Sequence, residues 1–120
     1  MSVDKYLDRV YRPGQYNCLH FTCEVWADLT GQDIRERLEG LLAGALRDRA
    51  LGKLHARAFR ALPGPVDPCL VLFQGNGPTP HMGVWIRGKV LHIREREHVQ
   101  HNSLFYASLP FTKTRFILPT

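Results

Sequence analysis

The chain has 120 residues, 44% of them hydrophobic and 22% charged, with a formal net charge of +5 from 16 Lys and Arg against 11 Asp and Glu. That length holds one domain, 1–120, with enough buried surface for a core that needs neither disulfides nor a structural metal. The composition excludes a disordered chain, and the apolar runs are too short to span a membrane.

The stretch from Val3 to Val10 reads as a short helix, broken by Arg12-Pro13-Gly14-Gln15. A second helix is expected from Asn17, whose side chain suits an N-cap. It carries Cys18, Phe21, Val25, Trp26 and Leu29 at helical spacing and stops at Thr30-Gly31. Asp33 can cap a further helix from Ile34 to about Asp48, and Leu51 to Leu62 reads as another. Pro63-Gly64-Pro65-Val66-Asp67-Pro68 then separates a helical half from a strand half. Strands are expected at Cys69–Phe73, His81–Ile86, Lys89–Ile93 and Thr114–Leu118, with Arg87-Gly88 as a tight hairpin turn. This order predicts an α+β fold, N-terminal helices packed on a C-terminal antiparallel sheet.

The basic residues do not form a stripe. Arg35, Glu36 and Arg37 alternate in sign, as do Arg94, Glu95, Arg96 and Glu97. Such alternation marks a solvated face, so neither nucleic acid nor membrane is an expected partner. The first fourteen residues contain acids and no apolar h-region. No secretory signal is expected, and the chain is placed in the cytoplasm as synthesised.

Cys18, Cys23 and Cys69 are the cysteines. An odd count argues against a disulfide framework. Cys18 falls at the expected start of a helix, where orphan N–H groups favour a thiolate. His81 begins a strand directly after a Gly/Pro loop, and His92 lies near the end of the next. If the turn at Arg87-Gly88 is tight, the two histidines are near-diagonal neighbours. A histidine held by a second polar group is what a general base needs. Should the Cys18 helix cover that face, Gly83 leaves room for it and His92 lies on the covered side. Tyr6, Tyr11, Gln15 and Tyr16 lie upstream of Cys18, and Gln15, Tyr16 and Tyr6 are the oxyanion candidates. His20 is expected to point away from Cys18. His98 and His101 stand three apart with no further ligand at tight spacing, so no metal and no cofactor are expected.

Tyr16-Asn17-Cys18-Leu19-His20-Phe21 followed by a helix resembles the nucleophile segment of the NlpC/P60 family of papain-like cysteine peptidases. His81-Met82-Gly83-Val84-Trp85-Ile86, then Gly88-Lys89-Val90-Leu91-His92, is similar to that family's histidine segment. Within the family the chain looks most like the short phage-tail-associated proteins, through Asn17-Cys18-Leu19-His20-Phe21, Trp26 and Thr30-Gly31-Gln32-Asp33. Asn-Cys-Leu-His stands where wall peptidases usually have Asp-Cys-Ser-Gly.

The resemblance implies a papain-like fold with Cys18, His81 and His92 as catalytic residues. It implies hydrolysis of an amide bond in the peptide part of bacterial peptidoglycan through a Cys thioester. The implied partners are the peptidoglycan stem peptide and phage tail proteins, and the implied setting is a virion tail or prophage. Two other readings stay open: a non-catalytic tail or assembly component on the same fold, and a papain-like amidase effector or acyltransferase.

Overall fold

The computed structural model describes residues 3–47, 57–75, 80–95 and 98–120. The first long helix, α1 (Cys18–Thr30), starts where its cap is built from side chains. Asn17 Oδ1 accepts the Leu19 and His20 N–H groups at 3.0 and 3.4 Å, and the Asn17 N–H donates back to His20 Nδ1 at 3.2 Å. Four N–H groups at a helix start have no partner within the helix, and this reciprocal box satisfies three of them. Gly31, at φ 75°, ends α1 and donates to Ala27. A second helix, α2 (Arg35–Arg47), begins as Asp33 Oδ1 accepts the Arg35 N–H.

The helix expected over Val3–Val10 is only one 3₁₀ turn, Asp4–Tyr6. So short a segment cannot repay helix nucleation by itself. Its position is set instead by Tyr6, fully buried with its ring edge-on to Phe21 and its hydroxyl donating to Asp28 at 2.7 Å. Val10, beyond the turn, forms an isolated bridge with His98.

Six strands form one antiparallel sheet: β1 (Phe59–Leu62), β2 (Cys69–Gln74), β3 (His81–Ile86), β4 (Lys89–Ile93), β5 (Val99–Asn102) and β6 (Lys113–Pro119). Their order is β1-β6-β2-β3-β4-β5. The helix expected over Leu51–Leu62 is corrected at its C-terminal end, where Phe59–Leu62 is a strand paired with β6. Residues 51–56 lie outside the described part. Periodicity over Leu54, Ala58 and Leu62 suits a helix, but an available edge on β6 satisfies the same backbone groups and decides the outcome. β5 and a short helix, α3 (Leu104–Ser108), are elements the sequence pattern does not announce. The β3–β4 hairpin turns as expected, with Arg87 at φ 55° and Gly88 at φ 75°. Positive φ at both central residues makes it the tight turn whose twist matches the strands.

The sheet is apolar on both faces. On one, Leu70, Leu72, Met82, Val84, Ile86, Leu91, Ile93, Val99 and Ile117 pack with Phe21, Val25 and Trp26 of α1 and with Ile34 and Leu38. On the other, Val71, Phe73, Val90 and Ala107 pack with Trp85, Leu104, Phe111 and Phe116. β2 contributes to both, which is why its apolar run is unbroken. Among the described residues no helix is long and apolar enough to cross a membrane.

Candidate functional site

Cys18 is the first residue of α1, as the Asn17 cap requires. The β3–β4 ladder ends at the pair Val84–Leu91. Beyond that end the Met82 N–H faces the Cys18 sulfur, as do the N–H groups of Leu19 and of Cys18 itself. Burial pushes the thiol above its ordinary value, and these three donors work against that shift.

His81 starts β3 and projects from the face opposite α1. Its ring stacks on Phe73 and Phe111, with centroids 5.8 and 5.7 Å away. Burial, reinforced by His92 and then Arg94, pushes its pKa down to about 3. His81 Nε2 lies 2.8 Å from Nδ1 of His92, and His92 is fully buried. The diagonal placement comes from the register, in which Val84 faces Leu91, so that His92 comes opposite Gly83 and His81 lies two residues before it. Gly83 therefore has a different role from the one expected. α1 covers the other face of the sheet, and Gly83 admits β4: a Cβ there would lie 2.8 Å from the Leu91 carbonyl oxygen and 2.9 Å from His92 Cβ.

The chain of rings continues into β5. His92 Nε2 is 2.6 Å from Asn102 Oδ1, and Asn102 Nδ2 donates to Gln100 Oε1 at 2.9 Å. Gln100 lies opposite His92, and Asn102 opposite Val90. Alternation puts both on the His92 face. Sequence reasoning missed Asn102 because β5 has no apolar run to mark it. Only the period-2 spacing of two amides in Gln100-His101-Asn102 could have hinted at a polar strand face.

Cys18 and His81 line one cleft of about 420 Å³, with Tyr11, Asn17, Leu19, Arg94, Glu95 and Phe111 among its other walls. The three expected oxyanion donors are elsewhere. Tyr6 is buried and donates to Asp28, Tyr16 donates to Glu24 at 2.6 Å, and Gln15 is exposed outside the cleft. Of the four residues singled out upstream of Cys18, Tyr11 is the one at the cleft. It lines the cleft close enough to Cys18 that the sulfur's charge adds to burial in raising the phenol's pKa.

The remaining residues singled out by sequence have local partners. His20 belongs to the α1 cap through Nδ1, and its Nε2 lies 3.2 Å from Arg35. His101 Nε2 meets the Ile86 carbonyl at 2.8 Å. Cys23 and Cys69 are free thiols outside the cleft, both raised by burial, Cys23 to about 11. Among the described residues no three His, Cys, Asp or Glu side chains converge as metal ligands.

Chemically, the site combines a thiol at a helix start, backbone donors around its sulfur, and an imidazole whose second nitrogen is held by a buried polar chain. That is the equipment for nucleophilic acyl transfer. Comparison with family models, curated proteins and solved structures returns no match for this chain.

Proposed function

We propose that this chain is a papain-like cysteine hydrolase of the NlpC/P60 type that cleaves an amide bond in the peptide part of bacterial peptidoglycan. The observation that carries the reading is that Cys18, at the first turn of α1, and His81 line one cleft, with His81 hydrogen-bonded in series to His92 and Asn102. The substrate class and the phage-tail setting rest on the resemblance of the Cys18 and His81 segments to that family.

In the proposed reaction His81 Nδ1 takes the proton from Cys18 Sγ as the sulfur attacks the substrate carbonyl. With Nε2 turned to His92, Nδ1 is the nitrogen available for this step. The resting pair is neutral, since burial raises the thiol and lowers the imidazole. Proton transfer therefore accompanies attack instead of preceding it. The carbonyl becomes an oxyanion, for which the Cys18 N–H and the Tyr11 hydroxyl are the candidate donors. Collapse expels the amine, which leaves with the proton held on His81. Water then attacks the thioester with His81 again as base, releasing the acid and restoring the thiol.

The test is incubation of the purified chain with peptidoglycan fragments, read by mass spectrometry. A cleaved stem peptide that depends on Cys18 is the expected outcome. Cys18→Ala should abolish cleavage, whereas His92→Ala should cost orders of magnitude less, because nucleophile and base both remain. Failure of wild-type protein to cleave any fragment, with Cys18 inert to electrophiles, would remove the enzymatic reading and favour a structural component.

A further inference from the structure

The polar chain behind His81 has a direction, set at the end farthest from the thiol. Asn102 uses its Nδ2 as donor to Gln100 Oε1, so its Oδ1 faces His92 Nε2. An amide oxygen only accepts, so His92 must carry its proton on Nε2. A neutral imidazole with hydrogen on Nε2 has a bare Nδ1, and that atom lies 2.8 Å from His81 Nε2. His81 must then donate from Nε2, which leaves its own Nδ1 as a lone pair. Each bond settles the next, and the last consequence is a base with its lone pair on the nitrogen not turned toward His92.

The reverse orientation would be disabling. With the amide turned around, Nδ2 would donate to His92 Nε2. His92 would then hold its proton on Nδ1 and donate to His81 Nε2. His81 would carry hydrogen on Nδ1 and could take no proton there. The two orientations differ by a concerted rotation of the Asn102 and Gln100 amides, and the structure holds the first, with Gln100 Oε1 accepting from Asn102 Nδ2.

We propose that Asn102, oriented by Gln100, is a positioning residue that fixes the tautomers of His92 and His81 so that His81 Nδ1 is the proton acceptor. This rests on the proposed hydrolase reading only for its consequence in catalysis. The tautomers themselves are a property of the resting protein. Asn102 touches no reacting atom and acts entirely through His92.

The experiment reads imidazole nitrogen shifts by NMR in the full chain, which needs no substrate. Wild-type protein at pH 7 should show His92 and His81 both protonated on Nε2. Asn102→Ala should scramble the His92 tautomer and slow iodoacetamide capture of Cys18 about tenfold, at the lower end of what loss of such a supporting partner costs. Should Asn102→Ala fold poorly, Asn102→Asp preserves shape and acceptor. It should keep both Nε2–H tautomers but raise the pH at which the His81–His92 pair takes up a proton by about one unit or more, because a carboxylate replaces a neutral amide.

A merely structural Asn102 would give Asp and Ala variants with unchanged tautomers and an unchanged titration, and that result overturns the proposal. So does a wild-type His92 protonated on Nδ1. If the tautomers are as stated but Cys18 cleaves no peptide, the hydrolase reading fails and the relay stands.

Discussion

Burial acts in opposite senses on the two groups that exchange the proton in the proposed reaction. Removing water disfavours charge, so it raises the Cys18 thiol and lowers the His81 imidazole to about 3. An unfolded histidine titrates near 6.5. Below that pH the unfolded chain binds a proton that folded His81 refuses, so stability falls as pH drops from about 6.5 toward 3. At pH 4.5 the loss from this residue approaches about 3 kcal/mol. That pH is still above the range where Asp28 titrates, its carboxyl being held low by Tyr6 and then Lys5. The difference between urea midpoints at pH 7 and pH 4.5 should therefore be larger in the wild type than in His81→Gln. The thiol gives a second readout. Iodoacetamide should modify Cys18 before Cys23 and Cys69, because Cys18 alone of the three lines the cleft. Its rate should climb with pH past the ordinary thiol value, and a plateau reaching into acid would instead indicate a preformed thiolate–imidazolium pair.

At the scale of elements, the β3–β4 hairpin holds the geometry. Its turn sets the register, and the register places His92 opposite Gly83 and so diagonal to His81. Gly83→Ala would force a methyl group to within 3 Å of the Leu91 oxygen and His92 Cβ, both on the neighbouring strand. Backbone cannot yield as a flexible side chain can, so the variant should lose about 1–3 kcal/mol. It should also move His92 away from His81. A thermal melt gives the first effect, and the His81–His92 coupling in imidazole NMR gives the second. The hairpin was legible because its signals are local: strand-forming apolar runs on both sides of Arg87-Gly88. The α1 start was legible for the same reason, through Asn17 and the stripe it precedes. The His20 half of that cap was not, since histidine is an unusual partner in a reciprocal box that normally uses Glu or Gln.

At the scale of the whole molecule, β6 returns from the C-terminus to lie between β1 and β2. Ile117 joins the α1-side core, and Phe116 packs on the other face against Trp85. Deleting 113–120 would strip β2 and β1 of their shared neighbour and open both cores. The truncated chain should lose its cooperative thermal transition in circular dichroism; a retained sharp transition would show that β6 only decorates the sheet. This long-range pairing also marks the boundary of what could be read beforehand. The sequence by itself determined α1 with Cys18 at its head, strands β2, β3, β4 and β6, and the diagonal meeting of His81 and His92, because caps, turns and alternation act over a few residues. Tertiary structure alone decided that Phe59–Leu62 is a strand, that α1 lies on the face away from His81, that Tyr11 lines the cleft where Tyr6, Gln15 and Tyr16 do not, and that Asn102 closes the polar chain. Each of those depends on which edge or face a distant segment offers. No local pattern of apolar residues carries that information.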